Sequence, residues 1–217
     1  MTVNPQWLVG DNNYLRTSDL DISLTYRPIN ALNISIAPSF SHNNNQLQYV
    51  TTAEVGGSDR YLMGSIEQTT FRVTLRATYM VTPNLSIQYW GQPFGTQGIY
   101  SNFKYITNAN AGEYSQRFMP MSNWMTLSGD TYSVDENNKG TADYTLSQPD
   151  FHFGQFRSNM VLRWEYIPGS TFFLVWTQEM NGSFYDKSTA SLDQYSFDFN
   201  QQAHNIFLMK YTYRFRL

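Results

Sequence analysis

The sequence predicts an all-β protein: an antiparallel up-and-down transmembrane β-barrel of seven or eight strands, or the C-terminal part of a larger barrel. Three observations predict it. Several stretches alternate apolar and polar residues with period two, the mark of a strand with one dry and one wet face. Short proline-containing turns interleave with long polar loops, as in outer-membrane barrels, whose short turns face the periplasm. Aromatic residues make up 17% of the chain and charged residues only 14%, against about a quarter charged in soluble domains, so something other than charge covers the surface.

The elements follow in order. Gln6 to Gly10 is a candidate short strand, and Asp11-Asn12-Asn13 is a turn signal. Leu20, Ile22, Leu24 and Tyr26 then alternate with Asp21, Ser23, Thr25 and Arg27 up to a turn at Pro28-Ile29-Asn30, and Leu32, Ile34, Ile36 and Phe40 resume the pattern. Ser41 to Asp59, polar and Asn/Gly-rich, reads as strand ends running into a loop. Phe71, Val73, Leu75, Ala77, Tyr79 and Val81 alternate with Arg72, Thr74, Arg76 and Thr78, and Leu85, Ile87 and Tyr89 continue beyond Thr82-Pro83-Asn84. Pro83 presets φ there and Asn84 tolerates the tight position. The long break from Ile106 to Phe153 is expected to hold a minor hairpin at Trp124 to Leu127 and Thr131 to Val134. Met160, Leu162, Trp164 and Tyr166 lead to a Pro168-Gly169 turn, and Thr171 to Glu179 is apolar on both parities. After a polar loop from Gly182 to His204, the last strand sets Phe207, Met209, Tyr211, Tyr213 and Phe215 against Lys210, Thr212, Arg214 and Arg216. The whole chain, 1–217, reads as one barrel domain with extracellular loops near 41–59, 106–153 and 182–204.

Composition also excludes. A net charge of −3 without a Lys/Arg stripe gives no reason to expect nucleic acid. The absence of cysteine removes disulfides, thiolate metal sites and thiol catalysis. No run reaches the ~18 apolar residues of a membrane helix, whereas barrel strands need only ~10. The opening MTVNPQWLVG lacks the charged and apolar regions of a secretory signal, so an exported protein would carry one in a longer precursor.

Tyr26, Tyr79, Tyr89, Trp164, Tyr166, Tyr211 and Tyr213 stand on the apolar faces near strand ends, as interfacial girdles do. Arg72, Arg76, Arg163, Glu165, Lys210 and Arg214 lie on the polar faces and are expected to form a structural charge network lining a lumen. Alternation by itself also fits a soluble sandwich. His42, His152 and His204 fall in or beside loops without ligand spacing and read as solvated side chains. Asp135-Glu136-Asn137-Asn138-Lys139-Gly140 has Lys139 where a calcium loop wants Asp or Asn, and no Glu at the twelfth position. Trp124, Tyr132 and Tyr144 could stack on sugars or pack an ordinary folded loop. No nucleophile elbow, phosphate loop or metalloprotease helix is present, so no catalytic residue, metal or cofactor is expected.

The stretches TTFRVTLRATYMVTPNLSIQYWGQPF, YSNFK and FRSNMVLRWEYIPGSTFFLVWTQ resemble the C-terminal barrel region of a family of large Gram-negative outer-membrane proteins. In that family a carbohydrate-binding module of family nine type precedes a domain of unknown function. The resemblance runs from Leu20 to Leu217 and implies an outer-membrane barrel with no catalytic residue to carry over. The carbohydrate-binding module is absent from this chain. Tyr211, Tyr213, Phe215 and Leu217 hold the parity of a barrel-assembly signal, with Leu217 where an aromatic usually stands. The expected role is a membrane anchor or translocation element for an exported module; the alternatives are loop-mediated glycan or protein binding at the cell surface, and a soluble binding sandwich. Expected partners are outer-membrane lipid, the barrel-assembly machinery, other outer-membrane proteins and surface glycans. Seven strands are clear and Gln6 to Gly10 would be the eighth. Because single-chain barrels have even counts, either the chain closes as a small barrel or further strands lie upstream.

Overall fold

The computed structural model describes residues 1–9, 14–182 and 202–215. It holds β1 (Thr2–Val9), β2 (Leu15–Ile29), β3 (Leu32–Val55), β4 (Ser58–Thr82), β5 (Leu85–Ile106), β6 (Phe118–Pro120), β7 (Met125–Ser128), β8 (Thr131–Val134), β9 (Tyr144–Ser147), β10 (Phe151–Ile167), β11 (Ser170–Gly182) and β12 (His204–Thr212). A 3-10 turn at Tyr114–Gln116 precedes β6. One antiparallel meander, in the order β1-β2-β3-β4-β5-β10-β11-β12, forms the main sheet; β6 adds to β5, and β7-β8-β9 make a separate small sheet. No described helix is long and apolar enough to cross a membrane.

The expected N-terminal strand forms, from Thr2 to Val9, and pairs with β2 along its length. Closure does not follow from it. Among the described residues β1 and β12 are the two ends of the sheet and do not pair with each other, so of the two alternatives, closure as an eight-stranded barrel is not seen there. Gly10 and Asp11-Asn12-Asn13, residues 183–201 of the third loop, Arg216 and Leu217 lie outside the described residues.

The first expected loop is also corrected. β3 runs on to Val55 and β4 begins at Ser58, which leaves Gly56 and Gly57, at φ 58° and 78°, as a two-residue hairpin turn. Two consecutive positive φ values match the right-handed twist of the flanking strands, and glycine adopts them without strain. β4, 25 residues long, spans about 80 Å. That is more than twice the membrane-crossing length of ~9–11 residues.

The three short turns share a device. A register shift falls just before each, at Tyr26/Ile29, Met80/Thr82 and Glu165/Ile167, so one extra residue bulges from the incoming strand each time; the first turn itself falls at Asn30-Ala31, past the expected Pro28-Ile29-Asn30, because β2 continues to Ile29. At the last turn the Gly169 N–H donates to a Glu165 carboxylate oxygen at 3.0 Å and Gly169 sits at φ 82°.

The only sizeable hydrophobic core among the described residues is at the far end. Leu62, Phe103, Met121, Val134 and Leu146 are buried together, with Val50, Tyr105, Trp124, Tyr132 and Tyr144 packed around them. The insert between β5 and β10 thus folds onto the outer ends of β3, β4 and β5. Its hairpin lies where expected, with β7 and β8 joined by β9.

Candidate functional site

Register sorts the main sheet into two faces. One rung reads Tyr26, Ile34, Ala77, Tyr89, Met160, Trp176 and Phe207 across seven strands, apolar throughout. The adjacent rung, facing the other way, reads Thr25, Ser35, Arg76, Trp90, Asn159, Thr177 and Ile206. On the first face the apolar stretch of β4, Phe71 to Tyr79, covers nine residues, about 27 Å. Large side chains on this face are open to the surroundings, Tyr26 at 68% and Phe207 at 67% exposure.

The band does not follow the rungs. On β2 it occupies Leu20 to Tyr26, and on β12 Phe207 to Tyr211, yet Tyr26 and Phe207 are on one rung. Its centre therefore drifts by five residues, from Ser23 to Met209, over six strand spacings. With ~3.3 Å per residue and ~4.8 Å per strand, the strands cross the band at about 30° from its normal. Strands of outer-membrane barrels tilt by ~35–45°.

Of the expected girdle, Tyr26, Tyr79, Trp164, Tyr166 and Tyr211 stand toward the short-turn end. Trp164 meets Tyr166 edge-on at 5.9 Å, and Tyr166 stacks on Tyr211 at 5.5 Å. The Tyr166 hydroxyl donates to the Thr212 carbonyl at 3.2 Å. Tyr213 packs against Phe215 beyond β12, while Tyr89 sits at mid-band on β5 rather than at a strand end.

The expected charge set shares the second face but breaks into pairs. Arg163 meets Glu165 at 3.1 Å. Arg72 reaches Asp21 at 3.7 Å, both flanking Ser39 from opposite sides. Arg76 and Lys210 form no ion pair among the described residues, and the backbone of Arg214 donates to Ser170 Oγ. A further pair, Arg157–Glu179 at 3.2 Å, joins Gln155 and Asn181 on the same carboxylate. β11 breaks the polarity as expected: Phe173 and Val175 lie on this face beside Val161 and Leu208.

The histidines do not converge. His42 and His152 occupy one rung with Thr69 and Gln97 between them, about 14 Å apart at three strand spacings. His204 pairs with Glu179 on the other face. Among the described residues no group of three His, Cys, Asp or Glu side chains is placed to hold a metal. The Asp135 carboxylate accepts from the Lys139 and Gly140 N–H groups at 2.9 and 2.7 Å. Those backbone bonds, Lys139 first, hold its carboxyl below the usual range.

Trp124, Tyr132 and Tyr144 face the core of the insert. Tyr132 tilts against Phe103 at 5.2 Å, and the Tyr144 hydroxyl donates to Glu136 at 3.0 Å. Burial first, and then the Glu136 carboxylate, push the Tyr144 hydroxyl pKa up. Burial and Asp150 act alike on Tyr100.

An open cavity lies instead on the neighbouring side of the insert. About 410 Å³ in volume, it is lined by Asn102, Phe103, Lys104, Tyr114, Ser115, Phe118, Pro120 and Ser122. Lys104 is only 8% exposed. Its Nζ donates to the Gln46 carbonyl at 2.6 Å and to the Tyr114 hydroxyl at 2.9 Å. The sequence hint was its place between Phe103 and Tyr105; the partners, on β3 and the insert, were not legible.

A family model described as a domain of unknown function (DUF5916) matches residues 1–215. No curated protein and no solved structure matches the chain. With nearly its whole length matched, the chain belongs to the DUF5916 family.

Proposed function

We propose that this chain is the membrane-embedded sheet of an outer-membrane β-barrel, serving as anchor or translocation element for an exported module. The observation that carries the reading is the apolar band: ~9 residues high on β4, continuous over the sheet, and crossed by strands tilted at about 30°. A sheet packed in a sandwich hides its apolar face under a second layer ~10 Å away. Here the apolar face of the main sheet has no such layer over it among the described residues, and its side chains at Tyr26, Trp164, Phe207 and Met209 are 68, 49, 67 and 73% exposed. Lipid is the solvent that suits them. In this reading the short turns face the periplasm and the insert faces outward. Outer-membrane lipid and the barrel-assembly machinery are its partners, and Tyr211, Tyr213, Phe215 and Leu217 are the assembly signal.

Gel mobility of the chain folded into detergent or lipid, unheated against boiled, tests it. A heat-dependent shift, or an absolute need for detergent, supports the membrane reading. Monodisperse behaviour in plain buffer replaces it with a soluble sandwich. A second reading, binding at the cell surface, draws on the folded insert and its cavity.

A further inference from the structure

The cavity beside Lys104 is built by irregularities in two strands, β5 and β3, on either side of β4. On β5, Asn102 takes φ 50°, the left-handed region. There the register slips between Met63/Lys104 and Ser65/Ser101, so Asn102 and Phe103 together oppose one residue of β4. Bulges of this kind re-aim side chains and recur beside binding sites. On β3 a second slip, between Asn45 and Gln48, takes Gln46 out of the ladder. The Gln46 N–H turns to the Tyr14 carbonyl at 2.8 Å, while its own carbonyl accepts from Lys104. Tyr14 stacks on Tyr114 at 4.4 Å and Tyr114 meets Phe118 at 4.9 Å, which closes an aromatic wall over the amine. Lys104 Nζ stands 5.5 Å from both the Tyr114 and the Phe118 ring centroids.

Every partner of this ammonium is neutral. A buried charge is tolerated when it is paired or fully hydrogen-bonded, and an ammonium has three donors. Two of them are used, and among the described residues no carboxylate lies within ion-pair distance. The compensation missing from the site is one negative charge. The cavity, near the small end of the ~300–1,000 Å³ range of ligand pockets, offers ring faces for an apolar surface and Ser115, Ser122 and Asn102 for polar edges.

We propose that this cavity binds a small ring-bearing carboxylate, with the carboxylate on Lys104 Nζ and the ring against Tyr114 and Phe118. The insert then works as a receptor for small organic acids at the loop end of the sheet. This holds whether the sheet sits in lipid or in water.

The test is calorimetric titration of the full folded chain with two acids, glucuronate and benzoate, each against its neutral counterpart, glucose and benzyl alcohol. Binding of either acid at least tenfold tighter than its counterpart supports the proposal, and which acid binds tells a sugar acid from an aromatic one. Lys104→Met should erase that advantage. Because Lys104 also ties the insert to β3, a second variant is needed: Ser115→Trp, at an exposed position, fills the cavity and should abolish binding with the fold intact. Binding by neither acid, equal binding of acid and neutral counterpart, or undiminished acid binding in Ser115→Trp would overturn it.

Discussion

Leu75→Arg is the substitution that most directly weighs lipid against water on the apolar face. Leu75 lies at the centre of the β4 stretch Phe71 to Tyr79, on a rung with Ile36 and Gly91. An arginine at the bilayer midplane on the lipid face of a barrel costs ~2–4 kcal/mol and near the interface ~0–1. Leu75→Arg should therefore shift the unfolding equilibrium of the lipid-folded chain by about 30- to 700-fold, at ~1.4 kcal/mol per decade. Tyr26→Arg, at the turn end of the band, should shift it by less than about tenfold. Gln88→Arg, on the polar face and exposed, should do no more. The drift of the band adds a sharper demand. At that drift the depth of Leu75 falls, three strands on at β11, about 2.5 residues to the short-turn side of its rung partner Gln178, beside Trp176, so Trp176→Arg should cost as much, although Trp176 is in register with Met160 and Phe207. Guanidinium unfolding from lipid vesicles, followed by tryptophan fluorescence and gel mobility, reads all of these. Equal costs for Leu75→Arg, Tyr26→Arg and Gln88→Arg would show no depth dependence and refute the membrane face.

Three further outcomes follow from the geometry. Leu62 is wholly buried in the core of the insert, so Leu62→Ala should cost ~2–5 kcal/mol locally, seen as faster amide exchange in β7, β8 and β9 with β10 and β11 unchanged. A Cβ at Gly98 would land against the Phe151 ring and 3.1 Å from Ile66; Gly98→Ala should destabilise by ~1–3 kcal/mol, and Phe151→Leu should recover part of that in a thermal melt. Asp135 has a folded pKa below its unfolded value, lowered by backbone N–H groups of which Lys139 is first. Its contribution is therefore complete above the unfolded value of ~3.9 and lost as pH falls through the folded one; the protection factors of the Lys139 and Gly140 amides, taken against the intrinsic exchange rate at each pH, should fall below about pH 4 in the native chain and stay level in Asp135→Asn.

Period two was enough to find β2, β4, β5 and β10 because each has one apolar parity, and the turns at Pro83 and Pro168 marked the ends of β4 and β10. The same reasoning failed from Ser41 to Val55, where β3 continues. Beyond the apolar band neither parity of that ribbon is consistently apolar, and Asn43, Asn44 and Asn45 look like loop. Polarity there records the surroundings of the strand, not its backbone. The charge pairs failed for a different reason. Arg72 finds Asp21 two strands away across Ser39, and Lys104 finds Gln46 across β4. Both pairings depend on the relative register of three strands, which bulges shift by a residue, and a one-residue slip changes the face.

The two edges of the sheet carry the remaining argument about architecture. Eight strands alternate in direction, so β1 and β12 run opposite ways, and an antiparallel closure admits any even number of additional strands, zero included. Both edges are apolar on both parities: Trp7, Leu8 and Val9 are 77, 59 and 59% exposed, and Ile206, Phe207, Leu208 and Met209 are 43, 67, 61 and 73% exposed. A native edge is normally protected by charge, proline, a bulge or a cover, because its free N–H and C=O groups recruit other strands. In hydrocarbon the demand is stronger, since every such group must be paired within the protein. Along the central part of β12, from Asn205 to Met209, no such protection stands among the described residues; the one Lys, Arg, Asp or Glu side chain of β12, Lys210, faces the polar side next to Phe173. The edge chemistry therefore favours completion by strands over a free border, and in the proposed barrel such strands would enter displaced along the rungs in the same sense, by just under one residue per strand, so that the apolar band meets itself.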